Sequence, residues 1–136
     1  MVPSPRWILI ARTRDIAMSI DSARIDSART DGTVGIRLRF EYSAPQPVPD
    51  DPQHVYTEMQ VQLALDCHAE LVRNLVFDLI ASTGRRVGGM SFDTTAAPST
   101  FATHPFGHGT FIGICGWLRA PGRFRPVIVD TSVVSH

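Results

Sequence analysis

Any chemistry in this chain has to come from two thiols, five imidazoles and a few charged clusters, and their spacing decides what each can do. Cys67 closes the alternating run Leu63-Ala64-Leu65-Asp66-Cys67, and Cys115 closes the glycine-spaced run Phe111-Ile112-Gly113-Ile114-Cys115. Two cysteines so placed in a small β-rich domain read as one structural cross-link, with two unrelated buried thiols as the alternative. A bonded sulfur is no nucleophile. A metal centre is disfavoured, because thiolates this far apart lack the Cys-x-x-Cys or histidine pairing that metal sites use. His104 and His108 stand four apart, the spacing that puts two ligands on one helix face. Pro105 and Gly107 lie between them and argue against a helix, so the pair reads as two loop histidines. Asp66, Cys67 and His68 are contiguous, yet neighbouring strand residues face opposite sides, which keeps them from forming a thiol–base pair.

The remaining clusters carry no reaction either. There is no Gly-x-Ser-x-Gly elbow and no phosphate-binding glycine loop. The stretch Gly84-Arg85-Arg86-Val87-Gly88-Gly89 reads as a solvated hairpin turn rather than an anion-binding one. Asp50-Asp51 lacks the further carboxylates that calcium coordination needs. The expectation is a non-enzymatic protein with no cofactor and no metal.

The elements that position these residues are mostly strands. Trp7 to Ala11 reads as a short buried strand and Ala17 to Asp21 as a second, which Ile25 to Arg29 extends or pairs with. Asp31-Gly32 is a hairpin signal, since glycine tolerates the positive φ of tight turns. Val34, Ile36, Leu38, Phe40 and Tyr42 then alternate with Gly35, Arg37, Arg39 and Glu41, the period of a strand with one face on the core and one in water. Residues 44–52 hold Pro45, Pro47, Pro49 and Pro52 and read as a protruding loop. A second alternating run puts Val55, Thr57, Met59, Val61, Leu63, Leu65 and Cys67 on the core face. Tyr56, Glu58, Gln60 and Gln62 fall on an open polar face. Leu71 to Ala81 is apolar on both faces and fits a central strand, a helix being the alternative. Ser82-Thr83-Gly84 turns the chain into a last strand from Val87 to Phe92, and 93–103 reads as a loop.

Phe111, Ile114, Cys115 and Leu118 recur at three- and four-residue intervals, a helical stripe. Gly109, Gly113 and Gly116 oppose it, each costing about 1 kcal/mol relative to alanine unless they allow close approach to the sheet. The expected fold is α+β: a mainly antiparallel meander of five to six strands with one C-terminal helix packed on it, stapled by the disulfide. Residues 1–6 are expected to be a flexible N-terminus, 7–119 the domain, and 120–136 either an added edge strand or a loose tail.

At 136 residues the chain supports one core. Its 13 Asp and Glu balance 13 basic residues, all arginine, so the formal net charge is zero. That removes the electrostatic case for nucleic acid or an anionic membrane surface. No apolar run approaches the ~20 residues of a transmembrane helix. Trp7 to Ala11 is too short for a secretion signal, with Arg12 and Arg14 closing it. The reading is that an export signal has been removed, the alternative being a reduced cytoplasmic protein.

Several features in order also resemble a known family. Trp7, then Ser19-Ile20-Asp21 with Arg24-Ile25, then Asp31-Gly32 before a strand ending at Tyr42 and followed by Pro45-Gln46, are similar to the bacterial surface-adhesin protein E family. The second half continues the pattern with Asp66-Cys67, Arg73, a Pro-x-Gly-x-x-Thr-like stretch from Pro105 to Thr110, and Ile114-Cys115. Phe101 stands where members of that family commonly carry tryptophan, and this chain has no lysine. The resemblance implies an antiparallel sheet with a disulfide-tied C-terminal helix, exported to the periplasm or outer-membrane surface. The adhesins of that family bind host extracellular-matrix and plasma proteins.

The functional expectation is therefore a non-catalytic envelope module that binds a protein partner, host matrix protein or envelope protein, through its outer sheet face. Arg37, Arg39, Tyr56 and Arg73 are the candidate contacts, since arginine and aromatic residues anchor such surfaces. The alternatives are a periplasmic inhibitor or immunity-type protein, and a homo-oligomeric structural component in which Val127 to Val129 adds to a neighbour's edge.

Overall fold

The computed structural model describes residues 4–27, 29, 31–93 and 95–120, together with the backbone of 127–128. Six strands run in meander order: β1 (Trp7–Arg12), β2 (Ile16–Asp21), β3 (Val34–Val48), β4 (Asp51–Asp66), β5 (Leu71–Ile80) and β6 (Arg86–Ser91). Each pairs antiparallel with its chain neighbours. A two-residue strand β7 (Ser99–Thr100) joins β5 beyond the end of β6, within the stretch expected to be loop. One helix, α1 (His108–Arg119), follows, and β8 (Val127–Ile128) runs parallel to β1 at Ala11 and Arg12. The antiparallel sheet, the single C-terminal helix and the Cys67–Cys115 bond are as the sequence pattern implies.

Of the six N-terminal residues expected to be loose, 1–3 lie outside the described residues. Arg6 is tied down: its carbonyl accepts from Ser22 N at 2.9 Å and its N–H donates to Asp21 at 2.9 Å. Of the C-terminal tail, 121–126 and 129–136 lie outside the described residues.

The core forms where the alternating face of the meander meets α1. Ile20, Ile36, Leu38, Val61, Leu63, Leu65 and Val72 are buried together with Phe101, Phe111, Ile114, Cys115 and Trp117. The helical stripe thus includes Trp117, while Leu118 is only partly buried. The close approach expected of the helix glycines does not occur. A Cβ at Gly109, Gly113 or Gly116 would meet nothing within 4 Å, so these residues face open space.

β5 is apolar on both faces because its parity changes partway along. Gln62 pairs with Val76 and Leu63 with Asn74, leaving Leu75 as the extra residue of a bulge. Before the bulge Val72 and Asn74 lie opposite the core residues Leu65 and Leu63. After it Phe77 and Leu79 take that face opposite Val61 and Met59. A single register cannot describe this strand.

The proline-rich stretch is a hairpin and not a protruding loop. β3 and β4 continue through it with register shifts, and Val48 pairs with Asp51 around Pro49-Asp50, where Asp50 takes φ +66°. Val48 is buried, and its side chain would touch a Cβ placed on Gly88, so the arm folds over the β5–β6 pair. Pro45, Pro49 and Pro52 fall where no register pair forms and Pro47 at the last pair before a shift, so few ladder donors are lost.

Cys67 lies one residue past β4, in the turn to β5. Asp66 organises that turn by accepting from the backbone N–H groups of His68 at 3.1 Å and Ala69 at 2.9 Å. Cys67 is bonded to Cys115 within α1, with Cα atoms 5.9 Å apart, so the helix is clamped to one end of the central hairpin.

Candidate binding face

The sheet face turned away from α1 carries a cluster of charged side chains. Alternation along β3 points Arg37 and Arg39 outward, pairing them with Gln62 and Gln60 of β4. On the other side, Ser19 of β2 pairs with Arg39, and Asp21 pairs with Trp7 of β1. The result is one cluster: the Arg37 and Arg39 guanidinium carbons lie 5.3 and 4.7 Å from the Trp7 ring centroid. Both fall within cation–π range, so the indole binds two cations at once.

Asp21 is the hub beneath this cluster and is fully buried. Its Oδ1 accepts from Arg6 N at 2.9 Å and Ala23 N at 3.0 Å, while Oδ2 faces Arg24 Nε at 3.5 Å and Arg37 Nη1 at 3.7 Å. Burial lowers the Arg37 pKa, Arg24 pushes it the same way, and Asp21, Asp78 and Glu58 oppose them. An arginine starts so high that it stays cationic at any physiological pH. Arg37 also donates through Nη2 to Gln60 Oε1, and Arg39 pairs with Glu41 at 3.3 Å. Farther across the face, Arg86 bonds Asp78 at 2.7 Å.

Beside Arg37 lies a recess of about 170 Å³, bordered by Arg24, Arg29, Asp26 and the bulged Leu75. Arg29 is held by Asp31 at 3.1 Å, so the basic groups at this recess have carboxylate neighbours. Two Thr33 hydrogen bonds and Arg29 hold the Asp31 carboxyl well below the usual range.

Of the four residues singled out in the sequence, Arg37 and Arg39 come together and Tyr56 and Arg73 do not join them. The register shift after Glu41 swings Tyr56 against Tyr42, ring centroids 5.7 Å apart in an edge-on contact. Arg73 donates to the Ala96 carbonyl and holds the connection between β6 and β7. Trp7 and Asp21 complete the cluster, although the sequence pattern marks neither for a binding role. Their only signal was a strand-initial tryptophan and a strand-final aspartate, both common without any binding role.

His104 and His108 have structural partners. His104 is buried, and its Nε2 lies 2.8 Å from Asn74 Oδ1 while Nδ1 accepts from Phe106 N at 3.1 Å. His108 opens α1 rather than sitting in a loop, and meets Glu70 at 2.9 Å. Among the described residues no three His, Cys, Asp or Glu side chains gather as a metal site. No helix among them is long and apolar enough to cross a membrane. Comparison with family models, curated proteins and solved structures finds no match to this chain.

Proposed function

We propose that this chain is a non-catalytic binding module of the cell envelope, working in the periplasm or on the outer-membrane surface in the manner of the adhesin E type. It engages a protein partner through the Trp7–Arg37–Arg39 cluster. The observation that carries this reading is the pairing of one half-buried indole with two guanidiniums on a sheet face that α1 leaves uncovered. Tryptophan and arginine dominate the energetics of protein interfaces because they combine large contact area with directional charge. The Cys67–Cys115 bond supports an oxidising compartment, since thiols in the cytosol are kept reduced.

The test is a titration of matrix, plasma and envelope proteins against the intact chain and its Trp7→Ala variant. A partner that binds at micromolar concentration or tighter and loses about tenfold in affinity on truncation, ~1.4 kcal/mol, supports the reading. Failure of every such protein to bind, or binding indifferent to Trp7, overturns it.

A further inference from the structure

On the helix side of the sheet, a cleft of about 320 Å³ opens where β1 to β4 pass the N-terminal end of α1. Its walls are Met18, Phe40, Met59 and Phe106. Phe106 packs on Phe40 with ring centroids 4.8 Å apart, so the segment before the helix closes one side. Two register irregularities border the cleft, beside its lining residues Ala11 and Tyr42. The bulge between Leu9 and Ala11 shifts the parity of β1, and β3 shifts register against β4 between Glu41 and Gln46. The volume lies at the lower end of the ~300–1,000 Å³ typical of small-molecule pockets.

The mouth is polar and its charges do not balance. A neighbouring recess of about 280 Å³ shares Arg12, Thr13, Ile16 and Tyr42 with the apolar cleft and is completed by Arg14, Asp15, Ala17 and Glu41. Within that recess Asp15 lies 4.0 Å from Arg14, and Glu41 is held by Arg39 at 3.3 Å. The Thr13 hydroxyl is spent on its own turn, accepting from Ile16 N at 3.1 Å. Two groups are left over: among the described residues, neither the Arg12 guanidinium nor the Tyr42 hydroxyl has a hydrogen-bond partner.

We propose that this cleft binds a small amphiphile with an apolar body and a carboxylate head, of the medium-chain fatty acid class. The chain lies on the methionine and phenylalanine walls, where burial removes apolar surface from water. The head takes a charge-assisted hydrogen bond from Arg12 and a second hydrogen bond from the Tyr42 phenol. Burial, and then the nearby Tyr56, push the Tyr42 pKa up, which keeps the phenol protonated as a donor.

The experiment is calorimetric titration of the full chain, with its disulfide intact, using octanoate and octanol as probes. The expected result is saturable octanoate binding at or below millimolar concentration. Arg12→Ala should weaken octanoate about tenfold and leave octanol unchanged, because the alcohol has no charge for Arg12 to meet. Thr110→Trp, which fills the cleft from the helix side, should abolish both. Absence of saturable binding by either probe overturns the proposal. Octanoate affinity indifferent to Arg12→Ala overturns it too, and that exposed-rim variant decides the matter even if Thr110→Trp fails to fold. Full octanoate affinity in folded Thr110→Trp places the ligand elsewhere and is equally fatal.

Discussion

His104 Nε2 lies 2.8 Å from Asn74 Oδ1, and the bulge at Leu75 is what lets Asn74 occupy the core face of β5 while the apolar residues after it still reach the core. Because His104 Nδ1 accepts from Phe106 N, the network assigns the proton of a neutral ring to Nε2, which donates to Asn74. Charging this imidazole would replace an accepted hydrogen bond with two donors facing each other. Burial lowers the His104 pKa below its ordinary 6.5.

The pH dependence follows by linkage. The unfolded state takes up the proton first as pH falls, so the His104 contribution is fully present above about pH 6.5 and is lost as pH drops through the depressed folded value. Urea midpoints of the native chain should therefore decline from pH 7.5 to pH 5 more steeply than those of His104→Gln. Parallel pH profiles for the two would contradict this.

Replacing Asn74 by Leu keeps the bulk and removes the acceptor. The buried Nε2–H is then left without a partner, which costs about 1–3 kcal/mol. Chemical denaturation of the disulfide-intact protein measures this, and a change under about 0.5 kcal/mol, the ordinary surface range, would show that His104 finds another acceptor.

Cys67 and Cys115 are separated by 48 residues, and closing a loop of that size stabilises by about 4 kcal/mol in the chain-entropy account. Domains of this size hold ~5–15 kcal/mol in total. The paired substitution Cys67→Ser with Cys115→Ser should therefore lower the thermal midpoint by about 10–25 °C or prevent folding at 37 °C (roughly 3–6 °C per kcal/mol at this length). The intact mass of the unreduced protein, two hydrogens below that of the reduced form, reports the bond directly.

Asp21→Ala should cost about 3 kcal/mol, since it strips two backbone donors and a largely buried Arg37 of one carboxylate. Asp21→Asn retains an acceptor for the backbone and should fall between. Equal stability of all three proteins by urea titration would remove Asp21 from its role as hub.

Glycines separate into two kinds. Gly89→Ala brings a Cβ to 2.6 Å from the Phe77 carbonyl oxygen and into the Arg86 guanidinium, so it should destabilise the β5–β6 edge by about 1–3 kcal/mol. Gly113→Ala meets nothing within 4 Å on α1 and should stabilise by up to about 1 kcal/mol. Thermal midpoints moving in opposite directions are the expected readout.

Much of this molecule was legible in the order of its residues. Period-two alternation in β3 and β4 set which side chains face the core, because a strand can bury only one side of its pleat against a helix. The three- and four-residue recurrence around Cys115 marked α1 for the same geometric reason, and the two cysteines marked the tie between helix and sheet. Tertiary packing alone decided the rest. The Leu75 bulge, the hairpin carried through four prolines and the separation of Tyr56 and Arg73 from the arginine pair all depend on which residue stands opposite which. So do the burial of Asp21 under Trp7 and the opening of the cleft beside Tyr42. Partner strands are brought together by contacts distant in sequence, and a one-residue slip between them reverses every face downstream. A linear pattern carries no record of such a slip.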